Sequence, residues 1–211
     1  LVRACGYHAG LTIHPDGLRA EDLWTRANAG LFDVSHMGQL RVRGPGLFAA
    51  LERALPVDFA DWPAGLRKYS LLLNDQGGIE DDLMLTRLEG EVAIVVNAAC
   101  KARDLARLRS LCPALEFTPL EHALIALQGP RAQEVLADAA ELKFMRACSI
   151  RYAGIRCDVT RSGYSGEDGF EISVPAGDAL ALARALLAHP ALRIDEGVAG
   201  RVAHITLLLC P

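Results

Sequence analysis

A hairpin-like stretch, Gly77–Asn97, constrains the fold of this chain more than any other part of its sequence. It reads GGIEDDLMLTRLEGEVAIVVN, and isoleucine, leucine, methionine and valine dominate both of its arms. Glu89-Gly90 separates the arms and suits a two-residue turn. The stretch therefore predicts two antiparallel strands, the first of which carries the adjacent acids Asp81 and Asp82.

Those two acids are unusual in a strand of this composition. Successive strand residues point to opposite faces of a sheet, so one of the two carboxylates should face inward. A carboxylate beside an apolar sheet face is costly unless another group binds it. We therefore interpret Asp82 as the functional acid and Asp81 as its outward or structural neighbour. The alternative is that both acids lie in water at the frayed start of the strand.

Composition excludes several classes of partner. The chain has 211 residues, of which 51% are apolar and 23% charged, enough for one large domain or two small ones. The net charge is −4 and no basic stripe appears, which argues against a nucleic-acid partner. No apolar run approaches the roughly 18 residues that cross a bilayer, and no targeting leader is visible at the N-terminus. We expect a cytoplasmic protein without a membrane partner.

The cysteines and histidines give no metal-binding pattern. Six cysteines are scattered without a CxxC pair, which predicts free thiols in a reducing compartment. The N-terminal histidines His8 and His14 have no third ligand near them in the sequence. We therefore predict no metal site.

Apolar spacing predicts an alternation of strands and helices. A unit of strand, Gly-Pro and helix occurs at residues 40–55, with Leu47, Leu51 and Leu55 on one helix face, and recurs at 124–140. The recurrence suggests two similar halves. Other predicted elements are a helix over 20–30, a strand over Tyr69–Leu73, a helix after Asn97 with its cations outward, and a strand pair over Gly154–Ser162 and Gly169–Val174.

The mixture of hairpins and helices predicts an α+β fold rather than a doubly wound sheet. The segment Gly30–Gln39 shows neither a helical nor a strand period. Polar residues on or beside strands that can share one sheet form the notable candidate set: Tyr69, Asp82, Asn97, Tyr164 and Glu171. Acids and aromatics in an apolar sheet suit a flat heterocyclic ligand with several N–H donors. The residues alone indicate nothing more specific.

Several segments resemble the aminomethyltransferase family, the T-proteins of the glycine cleavage system. They are GLFDVSHMGQ (30–39), YSLLLNDQGGIEDDLM (69–84), VVNAACKARDLARL (95–108), LIALQGPRAQEVL (124–136) and SGYSGEDGFEISVP (162–175). The resemblance implies two intertwined sheet-plus-helix subdomains over residues 21–190, between a divergent N-terminal segment, 1–20, and a divergent tail, 191–211. The family continues into a C-terminal β-barrel domain, for which this sequence has no counterpart.

The resemblance implies a tetrahydrofolate-dependent enzyme of glycine catabolism and one-carbon metabolism. Such enzymes take the aminomethyl group on the lipoyl arm of the H-protein, pass its methylene to tetrahydrofolate and release ammonia. The family's catalytic acid corresponds to Asp82, although a swap with Asp81 stays open. Glu171 would accept two N–H groups of the pterin in a two-point contact. The other family positions that contact folate correspond to Met37, Tyr69, Asn97, Tyr164 and Arg201.

Other interpretations stay open at this point. Tyr69 and Met37 can be ordinary core residues, and Glu171 can be a solvated strand residue. Within the same superfamily, the chain can also be a folate-binding module without turnover or a folate-dependent demethylase. The paired acids of GGIEDDLM favour the aminomethyltransferase over the module, and DVSHMG with VVNAAC weakly favours it over the demethylase.

Overall fold

The structure is a computed structural model, and it describes residues 23–192. Expectations for the segments 1–20 and 193–211, including Arg201, His8 and His14, lie outside the described residues. Strands in the described part are β1 (Gly30–Asp33), β2 (Gly38–Arg43), β3 (Arg67–Leu73), β4 (Ile79–Arg87), β5 (Val92–Val96), β6 (Glu116–Pro119), β7 (His122–Gln128), β8 (Ala147–Tyr152), β9 (Ile155–Arg161) and β10 (Gly169–Pro175). Helices are α1 (23–27), α2 (Leu47–Ala54), α3 (Lys101–Leu111), α4 (Ala132–Val135) and α5 (Ala179–Leu187).

The strands form two five-stranded antiparallel sheets. The first sheet has the order β1-β7-β10-β9-β8, and the second has the order β3-β4-β5-β2-β6. The chain starts in the first sheet with β1, builds the whole second sheet from β2 to β6, and then returns to complete the first. The two halves are therefore intertwined, and the predicted α+β class is confirmed.

Each sheet buries one face under its own helices. In the first sheet, alternation places Phe170 and Ile172 of β10 in a core with Leu182 and Leu186 of α5. In the second sheet, residues of β3, β4 and β5 form a separate core with helices α2 and α3, where Leu108 is fully buried. Each apolar strand face thus finds a helix stripe of matching character, which is what stabilises each half.

The uncovered faces of the two sheets are turned towards each other. Side chains from both sheets line a cavity of about 180 Å³ between them. Polar contacts bridge the sheets beside it: Ser173 Oγ donates to Gln39 Oε1 at 2.6 Å, and Arg41 Nη2 lies 2.6 Å from Asp158 Oδ2. The order of layers is helix, sheet, sheet, helix, with a polar cleft in the middle.

Most of the sequence-based elements are present. The acid hairpin is confirmed as β4 and β5, and Leu88 N–H donates to Glu91 O at 2.9 Å across the Glu89-Gly90 turn. The predicted strand pair at 154–174 is confirmed as β9 and β10, which are antiparallel. Strands β1 and β8 were not anticipated, because short strands at a sheet edge have little periodicity to reveal them.

Helix ends differ from the expectations. The helix predicted over 20–30 ends at residue 27, because Gly30 already pairs with Gln128 in the first sheet. Pro45 precedes helix α2 rather than occupying its first turn, since Gly46 in left-handed conformation (φ 61°) is the N-cap. The helix predicted at 131–140 is a short α4 followed by a 3-10 turn, Ala137–Ala139.

The described cysteines are all free, as expected from their spacing. Cys112 and Cys157 are buried, whereas Cys100 and Cys148 are half-buried. Within residues 23–192, no helix combines the length and the apolar character needed to cross a bilayer.

Candidate active site

Strand β4 places Asp82 on the face of the second sheet opposite to its helices, outside the residues that line the cavity between the sheets. Asp82 lies directly opposite Leu71 of β3, and Leu71 is on the same strand face as Tyr69 and Arg67. Since Leu83 pairs with Val96, the next position of the ladder brings Asn97 opposite Asp82. The hairpin register therefore places the acid and the amide side by side at the end of their strands.

Asn97 holds both acids through one amide group. Its Nδ2 lies 2.8 Å from Asp82 Oδ1 and 2.8 Å from Asp81 Oδ1. The amide carries two N–H groups, so each carboxylate receives one. Because both acids are half-buried and hydrogen-bonded, the alternative that they lie in water at a frayed strand start is wrong.

Asp81 faces the helix side of the second sheet. It lies opposite Leu72, which is fully buried in the core under α2 and α3. Burial by itself would raise the pKa of Asp81, but hydrogen bonds with Asp104 and Asn97 outweigh it and keep the pKa below its usual value. Asp81 is thus a structural neighbour of Asp82, and the expectation that it points outward is wrong because strand alternation turns it towards the helix layer.

Asp104 is a member of this cluster that the sequence reasoning missed. It belongs to α3, its side chain is 0% exposed, and burial together with the nearby Asp81 raises its pKa to about 7. The sequence does contain an indication that Asp104 is buried. It lies four residues before the buried Leu108 and hence on the apolar stripe of the helix. The cations of α3 are also more than a solvated face, since Arg107 Nη2 lies 2.6 Å from Asp75 Oδ1.

Asp81, Cys100 and Asp104 together form the one group in the described chain with metal-ligand composition. One possible ligand atom from each lies within 4.8 Å of the others. The prediction that the protein holds no metal therefore has its sharpest test at this cluster.

Tyr69 provides an exposed aromatic surface beside Asp82. It pairs with Met84 on β4, and 57% of the residue is exposed. A core role for Tyr69 is therefore wrong, because a core tyrosine would be covered by its neighbours. An exposed ring on a rigid strand can stack on a flat ligand without reorganising.

Glu171 of the first sheet meets the second sheet through Arg67. Arg67 is 3% exposed and donates to the Glu171 carboxylate, and Nη1 also lies 3.4 Å from Ser162 Oγ. Glu171 is thus not a solvated strand residue. Arg67 escaped the sequence reasoning, since a single cation at the start of a strand carries no signal of its partner.

Asp82 lies on the same face of the second sheet as Arg67, the residue that pairs with Glu171. Arg67, Tyr69 and Leu71 alternate along one face of β3, and Asp82 lies across from Leu71. At ~3.4 Å per strand residue, Arg67 and Leu71 are roughly 14 Å apart along β3. The Arg67–Glu171 pair therefore lies at one end of this face, the Asp82 carboxylate lies at the other, and the Tyr69 ring lies between them.

Gln128 organises the loop that carries Tyr164. Its Oε1 accepts from Tyr164 N–H at 3.0 Å and from Ser165 Oγ at 3.3 Å, while its Nε2 donates to Ser162 O at 3.2 Å. A Cβ at position 169 would lie 2.4 Å from Gln128 Nε2, so any larger residue there would displace the amide group of Gln128. Sequence reasoning did not identify Gln128, which is buried and polar in an apolar strand.

Tyr164 and Met37 lie at the margins of this arrangement. Tyr164 is 57% exposed, yet partial desolvation and the charge of Glu171 raise its phenol pKa, while Arg67 lowers it. These electrostatic effects place Tyr164 near the arginine–glutamate pair. Met37 is half-buried at the turn before β2, where its N–H donates to Val34 O at 3.0 Å.

Comparison with known proteins identifies one family. Residues 3–199 match the family model described as the GCVT N-terminal domain. The mitochondrial aminomethyltransferase of Dictyostelium discoideum is 36% identical over 214 residues, which cover 94% of this chain and 53% of the relative. The aminomethyltransferase of Thermosynechococcus vestitus is 41% identical over 159 residues, which cover 72% of this chain and 43% of the relative.

A solved structure shows the same fold. The crystal structure of glycine cleavage system aminomethyltransferase T from Bartonella henselae superposes with a TM-score of 0.79 at 45% identity. The match covers 89% of this chain and 53% of that one. The chain thus spans about half the length of the curated relatives it matches.

Proposed function

The chain belongs to the family of the GCVT N-terminal domain, and from that membership we propose that it forms the folate-binding part of a glycine cleavage aminomethyltransferase. The relatives named aminomethyltransferase support this activity over a non-catalytic module or a demethylase. In the proposed reaction, tetrahydrofolate attacks the methylene of the aminomethyl group on the H-protein lipoyl arm. Two tetrahydrofolate nitrogens form bonds to this carbon as its bonds to sulfur and to the amine nitrogen break, and the two protons that they lose pass to the leaving thiolate and amine. The products are methylene-tetrahydrofolate, ammonia and the dihydrolipoyl arm.

The fixed carboxylate of Asp82 is the observation that carries the proposal. Asn97 binds one oxygen of Asp82, so the carboxylate keeps a fixed orientation. We assign Asp82 the role of accepting an N–H from the anilino nitrogen of the folate. That hydrogen bond raises the nucleophilicity of the nitrogen and stabilises the positive charge that develops as it attacks.

We assign the other end of this face of the second sheet to the pterin. Glu171 would accept two pterin N–H groups, and the ion pair with Arg67 keeps its carboxylate oriented for that contact. Tyr69 offers a stacking surface between the two ends. The remaining lining residues of this proposal are Met37, Asn97, Tyr164 and Arg201, the last of which lies outside the described part.

The partner and the surroundings of the protein are also proposals. The solved relative from Bartonella henselae is named as a glycine cleavage system aminomethyltransferase, which supports a lipoylated H-protein as the partner. Some relatives are named mitochondrial and others come from bacteria. The division into 1–20, 21–190 and 191–211 and the cytoplasmic location stay predictions.

The substitution Asp82→Asn tests the proposed role of this acid. It preserves the shape of the side chain but removes its charge, so tetrahydrofolate binding should persist while turnover with aminomethylated H-protein falls by about 100-fold or more. Calorimetry measures the binding, and release of ammonia measures the turnover. Asp61→Asn, at an exposed aspartate remote from Asn97, is the matched control and should change neither.

Two results would contradict the proposal. Unchanged turnover in Asp82→Asn would remove Asp82 from the mechanism. Tetrahydrofolate binding by the unmodified protein without any release of ammonia would favour the module without turnover.

A further inference from the structure

The buried side of the hairpin holds a carboxyl pair that the proposed reaction does not use. Asp81 and Asp104 are close enough to influence each other through a side-chain hydrogen bond. The Asp104 side chain has no exposed area. Nevertheless, both oxygens of Asp104 and Oδ2 of Asp81 are buried and receive no hydrogen bond from any donor in the described chain. Two ionised carboxylates have no proton to donate to each other, so a hydrogen bond between them requires one added proton.

Arg103 does not supply the missing donor. Its Nε lies 3.5 Å from Asp104 Oδ1, beyond a good hydrogen bond, and its side chain is 56% exposed. Its Nη2 is directed elsewhere, 2.7 Å from Glu80 O and 3.1 Å from Cys100 Sγ. One half-exposed guanidinium therefore offers a single positive charge at the edge of two neighbouring carboxyl groups.

A metal ion is a weaker explanation than a proton. Burial and the charge of Asp81 raise the pKa of the Cys100 thiol, so Cys100 stays neutral near pH 7 and is a poor ligand. Arg103 already lies against the Cys100 sulfur, where a cation would have to displace it or be repelled. A single proton shared between the two carboxyl groups, in contrast, gives two of the three orphaned oxygens a hydrogen-bond partner without bringing in an ion.

We propose that Asp104 and Asp81 share one proton, and that this acid–carboxylate pair positions Asp82 by orienting the Asn97 amide. The proton resides on Asp104 and is donated to Asp81 Oδ2. Asp81 Oδ1 then accepts one N–H of Asn97, and the second N–H is left for Asp82 Oδ1. Asp104 is thus a positioning residue, and its effect on turnover rests on the function proposed above.

The surrounding charges are consistent with a proton that leaves near neutral pH. Burial, which is the largest cause, and the neighbouring Asp81 together raise the pKa of Asp104 to about 7 against the opposing effect of Arg103. The charged groups that face the pair are Asp81 from β4 and Arg103 from α3, with Cys100 between them. Glu80 of β4 and Arg107 of α3 form a further ion pair, in which Arg107 Nε lies 3.8 Å from Glu80 Oε2. Loss of the proton would leave two adjacent anions and weaken the hold of Asn97 on Asp82.

Turnover as a function of pH tests the positioning role in the protein that carries this chain. The unmodified protein should lose kcat above about pH 7 with the release of one proton. Asp104→Asn keeps a donor and cannot ionise, so it should retain most of kcat and lack this loss. Asp104→Leu removes the donor and should lower kcat by about 10-fold to 100-fold while KM for tetrahydrofolate changes little. An unchanged alkaline loss in Asp104→Asn would overturn the inference.

Infrared difference spectroscopy tests the shared proton without any turnover. At pH 6 the unmodified protein should show the C=O stretch of a buried, protonated carboxylic acid that Asp104→Asn lacks. The band should disappear as the pH rises through about 7. Absence of the band at pH 6 would overturn the inference even if Asp104→Leu failed to fold. A titrating band in a protein that releases no ammonia would establish the shared proton and reject the proposed function instead.

Discussion

The two halves of the protein each contain a partly or fully buried aspartate, and the pKa values of these two aspartates are shifted in opposite directions. In the first sheet, Asp168 precedes β10 and pairs with Arg161 at the end of β9, whose Nε lies 2.9 Å from Asp168 Oδ1. This pairing is the main cause of a lowered Asp168 pKa. On the helix side of the second sheet, Asp104 has another acid as its neighbour, and burial is the main cause of a raised pKa.

This difference distinguishes an acid that stabilises the fold from an acid whose affinity for protons is perturbed. An acid paired with arginine is ionised and stable, and it holds two elements together. An acid that is buried without such a cation has a perturbed affinity for protons, which is typical of groups at or beside functional sites. The perturbed carboxyl group lies next to the hairpin that carries Asp82, which is where the proposed reaction takes place.

The largest effect should come from removing the cation that joins the sheets. Arg67→Met leaves the carboxylate of Glu171 half-buried without its partner, and we expect a loss of about 3–5 kcal/mol in the free energy of unfolding. Urea denaturation measures it. Arg43→Met is the control, because the Arg43 side chain is 68% exposed beside Glu91, and it should cost at most about 1 kcal/mol.

A second variant sharpens the interpretation of that loss. Adding Glu171→Gln to Arg67→Met removes the stranded charge and should recover most of the lost stability. If Arg67→Met alone costs no more than the control, the two sheets do not depend on this pair.

Asp104→Asn should remove the pH dependence that Asp104 contributes to folding. The folded-state pKa of about 7 lies above the ordinary aspartate pKa of 3.8. The folded state therefore binds the proton more tightly, and stability is lost as the pH rises from about 4 to 7. At pH 8 the variant should be more stable than the unmodified protein by about 2–4 kcal/mol, and at pH 4 the two should be nearly equal. Equal stability in urea at pH 8 would contradict the raised pKa.

Glu171→Ala should weaken tetrahydrofolate binding, and it should also destabilise the second sheet because the buried Arg67 loses its partner. The loss of a buried acceptor should cost about 1–3 kcal/mol of binding free energy, because the pterin N–H groups are left without a partner. Calorimetric titration measures it, with the exposed Glu121→Ala as the matched control. Equal affinity in Glu171→Ala and the unmodified protein would mean that the pterin is held elsewhere.

The smallest effect should come from Asp168→Asn in the first sheet. Because the Asp168 pKa is lowered, its contribution to stability is present above the ordinary pKa of an aspartate and is lost as the pH falls. We expect a loss of about 1 kcal/mol at pH 7, since the pair is partly exposed, and no difference at low pH. A difference that grows on acidification would contradict the comparison with Asp104.

Local patterns were enough to predict the hairpin and its acids. Alternation along β4 and the Glu89-Gly90 turn depend on neighbours in the sequence, so the positions of Asp82 and Asn97 at adjacent strand ends could be foreseen. Edge strands such as β8 were not foreseen, because their residues are only partly buried and carry little period. The role of each candidate residue towards folate stays a prediction.

Long-range partners could not be predicted in the same way. Arg67 and Glu171 are 104 residues apart in the chain, and nothing near either residue indicates the other. Asp104 lies on a readable apolar stripe, but its partner Asp81 belongs to a strand of the preceding hairpin. Gln128 likewise acquires its role only from the loop that folds back onto it.

The amino-acid sequence by itself determined which residues alternate, where the chain turns and which acids a strand presents, since these depend on backbone geometry over a few residues. Only the tertiary structure decided which carboxylate receives a cation, which receives a proton and which lies on the sheet face away from the helices. The physical reason is that the ionisation of a carboxylate depends on the charges and the burial around it, and both come from distant segments.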